Sequence, residues 1–327
     1  MERFIRKQAS AASRIEAEEI LGQGLFRYQA DRTWGRLDPH RQPVKDCHGI
    51  AENSDGDIVL LTNHVANNFI VYEKSGAFRR AWETRFPGAH GLAITQHDGE
   101  DRYWVTDHNR KEVVVLSADG KDILSVGSDA VADLYRCDRK YLPTNAAVAP
   151  DGDFFVGDGY GSSFIHHFDS SGTLIASFGG EGDGPENLKQ PHGIAIDGRG
   201  DAPALLVCDR GNNLLKWFSF EGDLLKTIAV PGAMPSNVAP FKGRYQGYLA
   251  VACLTGMILI LDDTDAIISV VGGQPPRYDG DRMRTLYPFN YEFNHPHDVC
   301  VDEDGALYVA QWWSNRTYPI KLELVSE

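Results

Sequence analysis

Four histidines stand in copies of one short phrase: Cys47-His48-Gly49-Ile50-Ala51, Ala89-His90-Gly91-Leu92-Ala93, Pro191-His192-Gly193-Ile194-Ala195 and Pro296-His297-Asp298-Val299-Cys300. Two further copies carry asparagine in place of histidine, at Asn145 and Asn237. Imidazoles gathered at one place repel one another as cations but bind a transition metal well as neutral ligands. One such histidine alone reads better as a turn cap or a bond to a neighbouring segment; four at equivalent places point to a metal. Positions 48, 90, 145, 192, 237 and 297 are separated by 42, 55, 47, 45 and 60 residues, a period of propeller-blade length.

The elements that must carry these residues follow from what comes after each phrase. Asp55-Gly56, Asp151-Gly152 and Asp304-Gly305 each sit between β-rich runs, the strongest short-range hairpin signal. A third and a fourth strand follow, as in Phe164–Phe168 and Leu174–Phe178, and four strands make one blade. Six copies predict an all-β, six-bladed β-propeller whose innermost strands open with the phrase, so that His48, His90, Asn145, His192, Asn237 and His297 ring one end of the central channel. The last blade runs out of chain after its third strand, and the segment from Phe26 to Trp34 is expected to complete it, closing the ring and leaving no open edge. Residues 26–327 are thus the propeller, and residues 1–25 an extension with a short amphipathic helix over Gln8–Leu21.

Strand two of each blade returns to the face where strand one began. Its last residues therefore point at the channel mouth: Asn63-His64, Asp107-His108, Asp158-Gly159-Tyr160, Asp209-Arg210, the apolar Leu254, and Gln311-Trp312-Trp313. Long insertions at 127–142 and 272–293 each precede a ring phrase, which puts both on the face of the ring, as functional loops or as covers of the channel.

Composition sets bounds on partners. A net charge of −14 disfavours a nucleic-acid surface, which needs clustered Lys and Arg, and favours a small-molecule partner. No signal peptide or membrane span is legible. The five cysteines are scattered without a CxxC pair, as expected of reduced thiols in a cytoplasmic protein. The oligomeric state is not legible.

From about Phe86 to Val325 these residues resemble the peptidyl-α-hydroxyglycine α-amidating lyases, the lyase domain of peptide amidation, within the NHL-repeat propellers. The resemblance implies zinc, or another divalent transition metal, on His90, His192 and His297. It also implies a catalytic tyrosine at Tyr160, an active-site arginine at Arg210, and at Asp298 a carboxylate for a structural calcium. The chain departs from the family pattern at several places. Asn63-His64 stands where the family has a second arginine, Gly161 where it has a disulfide cysteine, and His295 where it has a methionine. His48 is an added ring histidine, a fourth metal ligand or a substrate contact.

The chemistry expected is a metal-dependent lyase reaction on a small hydroxylated or carboxylated substrate at the mouth. A three-histidine metal keeps an open position and polarises an oxygen. Tyr160 is either a base, with Arg210 stabilising its phenolate, or a packing residue; Arg210 either grips a substrate carboxylate or pairs with Asp158 or Asp209. His48, Asn63, His64, Asn145, Asn237, His295 and Trp312 are the expected substrate contacts. A lactonase-like calcium hydrolase, for which Asn145 and Asn237 speak, and a non-catalytic NHL scaffold are the alternatives.

Overall fold

The middle strands of the blades are apolar on both faces, because a sheet stacked between two neighbours has no solvent side. Ile58–Thr62, Ala204–Asp209, Leu249–Cys253 and Met257–Leu261 are buried along their whole length. The computed structural model describes residues 20–82, 85–135, 140–182, 184–289, 292–312 and 317–325. Trp313, Cys137 and the expected helix up to Glu19 lie outside them.

Six antiparallel blades are present, as the repeat predicts. Their inner strands are Cys47–Glu52, Ala89–His97, Asn145–Val148, Pro191–Asp197, Pro235–Pro240 and Pro296–Val301. Each touches the next around a closed ring, and the last touches the first. Blades 1 to 5 have four strands in chain order. Blade 6 is completed from the N-terminus: Phe26–Asp31 pairs with Ile320–Leu324, Tyr28 opposite Leu324 and Ala30 opposite Leu322. The strand stops at Asp31 rather than Trp34. The Asp31 carboxylate accepts the Thr33 and Trp34 amides in a turn, and the Trp34 ring is buried between Tyr72 and Tyr308.

A fifth strand was not foreseen. Ile20–Gln23 pairs with Phe26–Asp31, so Ile20 and Leu21, read as the end of a helix, are strand residues at the edge of blade 6. Its register is held by blade 5, where the Ser269 hydroxyl donates to Phe26 O and accepts from Gln23 N, and the Gln23 side chain accepts from Val270 N at 2.8 Å.

The insertions diverge. The first forms a 3-10 helix, Ser128–Leu134, and reaches the end of blade 3's second strand. The second, expected on the ring face, carries a small hairpin, Tyr278–Asp279 with Arg282–Met283. It borders a cavity of about 1370 Å³ shared with Thr227 to Ala229 of blade 4 and Thr264 to Ile267 of blade 5. Leu286 anchors it by burying into the apolar layer between those two blades. None of the channel histidines lines this cavity.

Candidate functional site

The inner strands carry their histidines on bulges. In blade 1, Cys47 pairs with Thr62 and Gly49 with Leu61, which leaves His48 without an opposite residue. His90 and His297 are left out in the same way, and His192 lies within the irregularity between Pro191 and Ile194. A bulge re-aims one side chain without ending the strand. Here it sends each imidazole into the channel, where all four are buried.

Register corrects one part of the sequence reading. In blade 5 the unpaired residue is Ser236, and Asn237 pairs with Ala252 as Asp298 pairs with Ala310. Asn145, Asn237 and Asp298 share one contact, since each side chain accepts the next residue's own amide. The histidine-equivalent residues of blades 3 and 5 are therefore Thr144 and Ser236. The asparagines belong to a layer with Asp298, one residue further along the strand.

Each of three histidines is anchored to the following blade. His90 Nδ1 donates to Thr144 O, His192 Nδ1 to Ser236 O and His297 Nδ1 to His48 O, all at 2.7 Å. A carbonyl only accepts, so Nδ1 carries the proton and Nε2 is left with its lone pair. The three rings lie 4.6 to 4.7 Å apart, centre to centre, at 71° to 79° to one another. Burial lowers the pKa of all four imidazoles well below the ordinary value, and their mutual proximity adds to the shift. They are neutral, as ligands must be.

Around these lone pairs there are few protons. The Tyr160 hydroxyl, 3.1 Å from His90 Nε2 and 3.2 Å from His192 Nε2, has one to give. His48 Nδ1 lies 3.2 Å from His297 Nε2, and Asn63 Nδ2 is 3.4 Å from His48 Nε2. A buried cluster with more acceptors than donors fits a cation. Ring nitrogens of His48, His90 and His297 lie within 4.8 Å of one another and could hold a metal ion. His90, His192 and His297 have the more uniform anchoring, and the two sets share His90 and His297.

The rim is built by a second repeated device. Asn63, Asp107, Asp158 and Asp209, at the ends of the second strands, each accept a backbone amide from the segment entering the inner strand: Asp46, Gly88, Leu142 and Lys189. These caps hold the residues that follow them at the mouth. Tyr160 sits on a turn that wraps the Asp158 carboxylate. A Cβ at Gly159 would lie 2.1 Å from Pro191 O, and one at Gly161 would lie 1.9 Å from Asp158 Oδ1. Tight packing thus excludes at Gly161 the cysteine of the family pattern.

Behind that turn, Tyr135 OH donates to Asp158 Oδ2 at 2.6 Å and lies 2.8 Å from His166 Nε2. Burial raises the Asp158 pKa to about 6 and lowers that of His166 to about 4. Arg210 is buried, with its guanidinium 5.4 Å from the Tyr160 ring centre. Asp209 pairs with Lys216 at 3.1 Å and Asp158 is held by Tyr135, so neither takes Arg210. Among the described residues Arg210 Nε has no hydrogen-bond partner.

Other expected contacts are placed as follows. Asn63 is a cap that also touches His48. His64 folds onto its own turn, accepting from Ala66 N at 3.1 Å. His295 Nδ1 donates to Leu254 O at 2.8 Å, and its ring lies 5.8 Å from that of Trp312. Asp298, whose pKa burial raises to about 7, accepts from Ile50 N, Val299 N and Asn237 Nδ2 and so ties blades 5, 6 and 1. The sequence reading put His108 at the mouth without giving it a role; its ring centre is 5.7 Å from His90 and 5.8 Å from Tyr160.

Fold and site together define a class: a six-bladed propeller whose channel mouth is lined by buried imidazoles. Within it, the chain is a propeller similar to the peptidyl-α-hydroxyglycine α-amidating lyases. No protein-family model matches the chain. It is 30% identical over 310 residues to peptidyl-glycine alpha-amidating monooxygenase A of Xenopus laevis, a match covering 89% of this chain and 30% of that protein. It is 27% identical over 258 residues to peptidyl-alpha-hydroxyglycine alpha-amidating lyase 2 of Drosophila melanogaster, covering 76% of this chain and 58% of that one. The chain therefore spans less than two thirds of the length of either relative. Among solved structures, a gluconolactonase from Xanthomonas campestris superposes with a TM-score of 0.65 at 15% identity, covering 95% of this chain and 96% of its own. A streptogramin B lyase does so with a TM-score of 0.59 at 16% identity, covering 94% and 98%. These two likenesses show the fold alone.

Proposed function

We propose that the chain is a metal-dependent lyase-type enzyme acting on a small hydroxylated or carboxylated substrate at the channel mouth. The observation that carries this reading is the set of Nε2 lone pairs of His90, His192 and His297, each oriented by a carbonyl of the next blade. Zinc or another divalent transition metal is the cation that such donors suit. When bound, it supplies a Lewis acid that polarises a substrate oxygen. A structural calcium at Asp298 and the NHL type of repeat belong to the same reading, as does a cytoplasmic location, which the buried free thiols of Cys47, Cys208, Cys253 and Cys300 support.

The chain's own residues do the rest. Tyr160, placed between two ligand imidazoles, receives or returns the proton of the substrate hydroxyl at its phenol oxygen. Arg210 lies against the face of the same ring and holds a substrate carboxylate. Burial of the four imidazoles keeps them neutral, with lone pairs free for a cation.

Elemental analysis tests the metal. The purified protein should hold a stoichiometric transition ion, and His192→Ala should lose most of it, because two oriented imidazoles do not make a stable site. Full occupancy in His192→Ala would sink the assignment. Calcium alone would favour the hydrolase reading, and no metal the scaffold.

A further inference from the structure

The Asp158 carboxylate, which fastens the turn that carries Tyr160, takes three donors. Leu142 N donates to its Oδ1 and Ser162 N to its Oδ2, both at 2.6 Å. The third comes from the first insertion: Tyr135, which follows the 3-10 helix Ser128–Leu134, donates its hydroxyl to Oδ2 at 2.6 Å. Behind Tyr135 the hydrogen bonds have one direction. A carboxylate only accepts, so the Tyr135 proton points at Asp158 and the phenol oxygen accepts from His166 Nε2, 2.8 Å away. His166 Nδ1 is then the acceptor of the Ser177 hydroxyl, at 2.8 Å, on the outer strand of blade 3. Ser177, His166, Tyr135 and Asp158 thus form one oriented line from the outer strand to the rim of the channel. The line needs a neutral imidazole and an ionised carboxylate, because an added proton on either would face a proton already there.

We infer that Tyr135 is a positioning residue: its hydroxyl, aimed by His166, holds the Asp158 carboxylate in the place that sets the Tyr160 hydroxyl between His90 and His192. This deepens the reading of Tyr160 as the proton carrier, and its bearing on turnover rests on that reading. The remaining titratable group against the line is Tyr141, whose ring lies 5.6 Å from that of Tyr135 and 5.7 Å from that of His166, with Glu112, paired to Arg110, beyond it. Burial keeps the Tyr141 phenol protonated. Hydrogen bonds alone offset the buried Asp158 charge, with no ion pair to Lys or Arg among the described residues, and its pKa stands at about 6. The line is therefore open to pH just below neutrality. When Asp158 takes a proton, one of its three donors faces a proton instead of a lone pair, and the turn has to relax. Tyr160 moves with it, because Gly161 N and Ser163 N close the same turn on Asp158 O.

Fluorine NMR of the full chain labelled with fluorotyrosine reads the placement of the phenol directly. The Tyr160 signal is the one missing from Tyr160→Phe. Between about pH 8 and about pH 5 it should move with a midpoint of about 6. In Tyr135→Phe, which keeps the ring and removes the hydroxyl, the midpoint should rise by about one pH unit, because the carboxylate loses a donor that favours its charged form. In Asp158→Asn the movement should vanish. A packing role alone would leave Tyr135→Phe with the midpoint of the unmodified protein, and that result overturns the proposal. So does a Tyr160 signal that stays still in the unmodified protein, or one that still moves in Asp158→Asn. If Asp158→Asn does not fold, the comparison of Tyr135→Phe with the unmodified protein decides alone. Because the titration reads where the phenol sits and not turnover, its failure leaves the proton-carrier role to the rate of Tyr160→Phe, and a wild-type rate there leaves the titration standing.

Discussion

Tyr160 carries the narrowest test of the proposed chemistry. Tyr160→Phe keeps the ring that Arg210 lies against and removes the hydroxyl shared between His90 and His192. We predict retained metal and fold with roughly 10²–10⁴-fold slower turnover, once a metabolite screen supplies a substrate. A wild-type rate would make the tyrosine a packing residue. Arg210→Lys should raise KM more than it lowers kcat, because a point charge cannot match the planar fork; an unchanged KM would count against the carboxylate role. A pH prediction follows from the four channel imidazoles, whose folded pKa values lie below their unfolded value of 6.5. Below that pH the unfolded chain takes up protons that the folded chain refuses, so stability falls as pH falls. Asp298 and Asp158, raised to about 7 and about 6, oppose this, but they are two groups against six, because His108 and His166 are lowered as well. Urea titrations of metal-free protein from about pH 7 to about pH 5 should show a falling midpoint, and a flat or rising one would contradict neutral buried imidazoles.

At the scale of the element, the strand-end turns matter more than the strands. Gly161→Ala pushes a methyl group into the Asp158 carboxylate and Lys140 O, so the turn must open and shift Tyr160. We expect a lower Tm and a loss of turnover approaching that of Tyr160→Phe; an active, equally stable Gly161→Ala would show that the turn tolerates movement. The strands themselves were legible, because alternating hairpin signals and apolar runs specify a blade locally. The bulges were not, since a residue left out of a ladder has no mark in composition. That is why Asn145 and Asn237 were aligned with the histidines. The better anchor was the proline that precedes the key position in four blades, Pro143, Pro191, Pro235 and Pro296, which aligns Thr144 and Ser236 with His192 and His297. Nor could Asn63 be read as a cap: its partner, the Asp46 amide, is 17 residues away in the chain.

For the whole molecule, the closing strand was legible because blade 6 ran out of chain, whereas Ile20–Gln23 was not, because its hold on Ser269 and Val270 reaches across 246 and 247 residues. The course of the second insertion was hidden for the same reason, since Leu286 finds its apolar neighbours in blades 4 and 5. One consequence of the carbonyl anchoring reaches beyond the mouth. His297 belongs to the blade that is closed from the N-terminus, yet its orienting acceptor, His48 O, belongs to blade 1. A proposed metal ligand is thus tied across the seam where the circle of blades closes, and on that reading ion binding and seam closure are thermodynamically linked. By reciprocity, whatever factor the ion adds to closure, closure adds to the ion's affinity. Deleting residues 1–24 removes the fifth strand but leaves Phe26–Asp31 in place. We predict that it lowers both Tm and metal affinity, and that saturating metal narrows the Tm gap to the intact chain. Equal metal affinity in a destabilised deletion variant would show the two to be uncoupled; coupling would make a metal titration at the channel mouth a gauge of how firmly the chain's two ends are joined on the far side of the blade.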